Sequence, residues 1–344
     1  MPGRKFRRLS PIDAAYGGRD GAGGRKTQDM LMTAADVPTR RFRRLRLFGR
    51  AIATIALLAI PISALCVADG IRHPNRWLPL RSGRSSFPAE PSWEPMEVTA
   101  PDGVVLRGRF LPHPQSAGRT VVLLHGLRGR SDGMLGRAAA LRDAFPVNVC
   151  LMDLRGHGES DRVELTYGLR ERYDIQAAVS ALLRRGDVAG DGIVLMGTSL
   201  GGSVALQAAA VDPRVRAVVA EAPFADLQSA ISDRARRRRI PDWYASLVRG
   251  VFELQSDWKW SDVDVAAAAS TLSCPVLLIH GDLDDRTPPY HSHELFRCCR
   301  SHLKRLHLVV GGGHNSLWRV RPAEYSAELR RFLVEVFVHV GARE

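Results

Sequence analysis

Three side chains of the right kinds stand far apart in this 344-residue sequence. One is a serine inside Gly197-Thr198-Ser199-Leu200-Gly201. The second is a carboxylate among Asp282, Asp284 and Asp285. The third is His314, within Gly311-Gly312-Gly313-His314-Asn315. Together they are what attack by a hydroxyl requires. A serine is a weak nucleophile until an imidazole takes its proton, and the imidazole needs a carboxylate to fix its tautomer and stabilise its cation. Asp284 is best placed between Gly281 and Pro288 to meet the histidine at a strand end, with Asp282 and Asp285 as alternatives. Of the eleven histidines, His314 alone combines a glycine-rich loop with a preceding strand and a following helix. Attack on an acyl carbonyl also puts negative charge on its oxygen, which calls for two N–H donors. In that reading they belong to Leu200, beside the serine, and Leu127, in His125-Gly126-Leu127-Arg128-Gly129.

Such residues meet only if regular elements deliver them to one place. Ile193-Val194-Leu195-Met196 reads as a buried strand and 202–210 as a helix, so Ser199 sits at a sharp strand-to-helix turn. Gly197 and Gly201 let the two elements pass closely. The helix N-terminus then aims N–H groups and a partial positive charge at the serine. A hairpin is expected around Pro101-Asp102-Gly103, and strands at 120–124, 148–152, 215–220, 275–281 and 304–310. Helices are expected at 134–145, 173–185 and 322–338, the last with Leu329, Phe332, Leu333 and Val336 as its apolar face. Strands that are apolar throughout suit a parallel sheet covered on both faces. His125 reads as a residue that fixes its loop. The stretch 153–160, with Gly156, His157 and Gly158, reads as a loop marker rather than a phosphate cradle or metal site. Residues 223–272 break the alternation and read as a lid over the serine, with Trp243, Tyr244, Trp258 and Trp260 lining an acyl pocket. The arginine run at 234–239 reads as a solvated helix face, with lipid headgroups as its alternative partner.

Net charge is +13, which taken whole would suggest nucleic acid or an anionic surface. The first 50 residues, however, hold 13 Lys and Arg against 4 Asp and Glu. The basicity is mostly a property of the tail, and no nucleic-acid partner is expected. Five cysteines in no ligand spacing give no metal signal, and no cofactor is expected. Residues 51–68 carry no charge. With Leu47 and Phe48 they are long enough, at about 1.5 Å per residue, for a ~30 Å hydrocarbon core. The arginines from Arg40 to Arg50 put the N-terminus on the cytoplasmic side and the rest across the bilayer. The alternative is a secretory signal cut near Asp69. The expected organisation is a disordered basic tail at 1–45, a transmembrane anchor at 46–68, a linker at 69–93, and a catalytic domain at 94–344 with the lid at about 223–272.

The motifs HGLRG, DLRGHGES, GTSLGG, HGDLDDRTPP and GGGHN stand in the order found in α/β-hydrolases, so residues 94–340 resemble that superfamily. The resemblance extends to its membrane-tethered members and to those classed with serine aminopeptidases or dienelactone-type hydrolases. It implies an α/β fold with a mostly parallel eight-stranded sheet and helices on both faces. It also implies a metal-free serine hydrolase acting on a small-molecule or lipid-like acyl substrate, with Ser199, Asp284 and His314 catalytic and Leu127 and Leu200 forming the oxyanion hole. A serine peptidase of the aminopeptidase type would need an acid near the pocket to hold a substrate amine, for which Glu221 and Asp226 are the candidates. A non-catalytic scaffold is the other alternative.

Overall fold

The computed structural model describes residues 36–76, 87–88 and 92–339. Most of the expected tail and much of the expected linker lie outside them. Helix α1 (Asp36–Arg72) contains the apolar stretch and begins inside the segment read as tail. The arginine-rich run before it is made of good helix formers that simply extend the same helix. The chain divides into two compact units, Met1–Ala56 and Leu57–Glu344. In the first, α1 exposes Phe42, Leu45, Phe48, Ile52 and Ile55. In the second, its last turns bury Ala64 and Ala68 completely.

The second unit is built on eight strands. They are β1 (Glu94–Thr99), β2 (Val105–Leu111), β3 (Thr120–Leu124), β4 (Asn148–Met152), β5 (Ile193–Thr198), β6 (Val215–Glu221), β7 (Val276–Gly281) and β8 (Lys304–Val309). They form one sheet in the order β1-β2-β4-β3-β5-β6-β7-β8. The β1–β2 and β2–β4 pairs are antiparallel, and every later pair is parallel. Both faces are covered, which is why β3, β4 and β5 are buried along their whole length and read as unbroken apolar runs.

Among the described residues, nine further α-helices lie between or after the strands. They are α2 (Leu135–Ala144), α3 (Glu171–Leu183), α4 (Leu200–Val211), α5 (Leu227–Arg237), α6 (Asp242–Gln255), α7 (Val265–Ala269), α8 (Tyr290–Cys298), α9 (Leu317–Val320) and α10 (Pro322–Val334). Side chains alternate along each strand, so the sheet has two cores. Val122, Leu124, Cys150 and Met152 pack with α3, α4 and α7 on one face. Val121, Leu123, Val149 and Leu151 pack with α2 and α10 on the other. Helix α4 is buried from Leu200 to Ala209, as a central helix must be. Its two polar side chains are satisfied there, Ser203 Oγ–H donating to Phe224 O and Gln207 Nε2 to Tyr167 O. In α10, Pro322 opens the first turn and Tyr325, Leu329, Phe332 and Leu333 form the buried stripe. Each such Leu or Phe contributes about 1.5–3 kcal/mol of burial. Because the parallel strands share one direction, β3, β5 and β7 release their loops at the same edge. That edge is where the reactive residues gather.

Candidate active site

Ser199 occupies the bend between β5 and α4 with φ 53° and ψ −118°, a left-handed conformation that costs a non-glycine residue about 1–3 kcal/mol. The bend is held by close backbone packing. The Ser199 N–H donates to Glu221 O at 2.7 Å, and a Cβ on Gly201 would lie 2.3 Å from Leu124 O. The strain lifts the hydroxyl clear of the sheet.

The structure brings the three predicted side chains together. Ser199 Oγ–H donates to His314 Nε2 at 2.9 Å, and His314 Nδ1–H donates to Asp284 Oδ2 at 2.7 Å. An ionised carboxylate only accepts, so Nδ1 carries the proton and Nε2 is left to receive one. Burial opposes ionisation of Asp284, but hydrogen bonds from His280, His314 and the Thr287 N–H outweigh it and hold this carboxyl well below the usual range. The Arg286 and Thr287 N–H groups both donate to Oδ1. The two alternative aspartates go elsewhere. Asp282 Oδ1 accepts the Gly311 N–H at 2.7 Å, and Asp285 forms an exposed ion pair with Arg237.

Sequence reasoning passed over His280. It is fully buried at the end of β7, 3.2 Å from Asp284 Oδ2 through Nε2. The same nitrogen lies 2.8 Å from Thr287 O, while Nδ1 lies 2.6 Å from Ser292 Oγ. Its spacing of four from Asp284 was the available signal.

Leu200 directly follows Ser199 in the chain, and Gly126, the residue before Leu127, comes so close that a Cβ there would lie 3.4 Å from Ser199 Cβ. The loop carrying Leu127 is fixed by two buried histidines. His125 donates from Nδ1 to Gly126 O and accepts the Leu154 N–H at Nε2. His157 donates from Nδ1 to Arg155 O and accepts the Arg128 N–H at Nε2, 3.2 Å away. Burial lowers both rings, and with the neighbouring His125 it brings His157 down to about 3. Both are therefore neutral at pH 7. His125 fixes its loop as expected, and His157 contributes a side-chain contact beyond marking one.

The insertion between β6 and β7 differs from its expected role. Trp258 and Trp260 are buried and pack their rings on Phe252. Trp243 is exposed, and Tyr244 O–H meets Ser63 Oγ at 2.9 Å. Large rings gain more by burial in the apolar core than by lining a wet cleft. The cavities beside the serine are instead lined by Arg130, Arg137, Thr198, Asn315, Trp318 and Arg319, and by Arg286 and His314. Glu221 is fully buried, paired with Arg137 at 2.7 Å and accepting the Tyr325 hydroxyl. Asp226 caps α5 by accepting the Ser229 N–H. Among the described residues no cluster of His, Cys, Asp and Glu is suited to a metal ion.

Known proteins share this arrangement of chain. A model of the prolyl oligopeptidase family matches residues 146–339, more than half of the sequence. The uncharacterized protein YfhR of Escherichia coli strain K12 is 30% identical, over 65% of this chain and 74% of its own. The α/β hydrolase domain-containing protein WAV2 of Arabidopsis thaliana is 28% identical, over 72% and 79%. Among solved structures, the Pyrococcus furiosus esterase Pf2001 superposes with a TM-score of 0.58 at 24% identity, covering 70% of this chain and 90% of that one; at that identity the likeness speaks for the fold. With the eight-stranded sheet and the strand-to-helix bend at Ser199, these matches make the chain an α/β hydrolase belonging to the prolyl oligopeptidase family.

Proposed function

We propose that the chain cleaves carboxylic esters, or closely related acyl bonds, through an acyl-enzyme on Ser199. The relay from Ser199 Oγ through His314 to Asp284, at 2.9 and 2.7 Å, is the observation that carries this reading. His314 Nε2 takes the hydroxyl proton as Oγ bonds to the acyl carbon. The resulting oxyanion lies between the Leu127 and Leu200 N–H groups. Collapse returns the proton from Nε2 to the departing alcohol. Water, deprotonated by the same nitrogen, then attacks the acyl-serine, and the acid leaves as Ser199 regains its proton. Asp284 holds the ring and stabilises its cation throughout.

Ser199→Ala should abolish hydrolysis of p-nitrophenyl esters and labelling by a fluorophosphonate probe, with circular dichroism unchanged. Persistent hydrolysis by that variant would remove the proposal. The aminopeptidase alternative has lost its candidates, because Glu221 is committed to Arg137 and Tyr325 and Asp226 to the α5 cap. We further propose that α1 tethers the enzyme to a membrane, with the catalytic domain on the extracytoplasmic side. It is the one helix among the described residues long and apolar enough to cross a bilayer, with a mean hydropathy of 2.4 over its best window.

A further inference from the structure

A cavity of about 250 Å³ is lined by Gly126 and by Thr198, the residue before the nucleophile. A Cβ at Gly126 would stand 3.4 Å from Ser199 Cβ, so one residue of the cavity wall lies against the nucleophile's side chain. Its walls carry Arg130, Arg137, Thr198, Asn315 and Arg319 and not one carboxylate.

Two of these residues are almost entirely buried yet short of partners. Arg137 is 6% exposed, and its Nε donates to Glu221, but its Nη2 has no hydrogen-bond partner among the described residues. Thr198 is also 6% exposed, and its Oγ1 is likewise unpartnered. Native structures seldom leave buried donors unmet unless something else meets them. Arg319 sits at the mouth with its guanidinium 4.7 Å from the Trp318 ring centre. It has no carboxylate ion-pair partner among the described residues and also lines the second cavity, beside His314, Arg286 and Asp285, the last of which is paired with Arg237.

We propose that this cavity is a subsite for one carboxylate carried by the substrate, gripped by the guanidinium groups of Arg137 and Arg319 with the Thr198 hydroxyl. The favoured substrates are then monoesters of short dicarboxylic acids. Charge decides the class. Glu221 balances Arg137 and Asp132 lies 3.5 Å from Arg130, so Arg319 supplies one uncompensated positive charge, the match for a monoanion rather than a phosphate dianion. Planar guanidinium forks also fit a planar carboxylate. The inference deepens the reading of Ser199 as nucleophile and rests on it for the reaction, though not for the binding.

Two measurements on the full chain in detergent separate the two claims. In the first, monoethyl glutarate and ethyl valerate, equal in acyl length, are compared as substrates by titrating the acid released. The expected kcat/KM favours the glutarate by about tenfold or more, the usual worth of a charge-assisted contact, and Arg319→Gln brings the ratio down towards one. In the second, calorimetry with Ser199→Ala follows binding of monomethyl glutarate, methyl valerate and inorganic phosphate. Binding of the glutarate ester should exceed the other two and weaken about tenfold when Arg319→Gln is added. Equal turnover of charged and neutral esters, or phosphate binding tighter than the carboxylate, would overturn the subsite while leaving Ser199 as nucleophile. Selective carboxylate binding without hydrolysis of any ester would leave the subsite standing and sink the reaction.

Discussion

His157 shows how a residue away from the chemistry sets its geometry. Its Nε2 accepts the Arg128 N–H, and Arg128 follows directly on Leu127, whose own N–H is assigned to the oxyanion. His157→Phe removes that acceptor, and we expect kcat to fall by about 10- to 100-fold with KM little changed, less than outright loss of an oxyanion donor. His157→Gln keeps an acceptor and should restore much of the rate; steady-state kinetics on one ester decides. The ring also predicts an acid-sensitive stability. Burial brings His157 to about 3 from an ordinary value of 6.5, so between those limits the unfolded chain binds a proton that the native one does not. Stability therefore rises with pH across that window and is lost as pH falls, by up to about 1.4 kcal/mol per pH unit for one such group. Urea titrations from pH 4 to 6.5 should show a shallower slope for His157→Gln than for the parent; equal slopes would place the proton elsewhere.

Between elements, the loop after β7 and the loop after β8 are fastened to each other. Leu283 N–H donates to Gly312 O and Gly311 N–H to Asp282 Oδ1, so the carboxylate and the imidazole move as one body. A Cβ at Gly281 would lie 2.2 Å from Gly312 O. Gly281→Ala must push the loops apart, and we expect a loss of about 1–3 kcal/mol in urea unfolding, with a larger proportional loss of kcat than Gly312-remote surface changes produce. Strands such as Thr120-Val121-Val122-Leu123-Leu124 were legible because a doubly covered sheet selects unbroken apolar runs. Ser199 and His314 were legible because glycines frame them both. Asp284 was readable only as one of three, since its selection depends on how the following turn folds back. The fastening of Asp282 to Gly311 belongs to tertiary contact and left no local pattern, and His280 showed only its spacing of four from Asp284. The insertion was legible as an interruption, but whether Trp258 and Trp260 face a cleft or the core depends on Phe252 and Tyr167 meeting them in space.

At the scale of the whole chain, the proposed tether makes a direct prediction. The full-length protein should stay in the membrane pellet through alkaline carbonate extraction; recovery in the supernatant would mean that α1 does not span the bilayer. Helix α1 also belongs partly to the catalytic unit. Ala64 and Ala68 join the same apolar cluster as Phe252 and Trp258, Ser63 meets Tyr244, and Arg72 pairs with Glu164 at 2.6 Å. A processing protease that trimmed the chain just before Asp69 would therefore carry off part of the enzyme's own interior, stripping the cover from those rings. The mature form that keeps its shape best is the untrimmed one, and shedding into the surrounding fluid would come at the cost of a shorter working life.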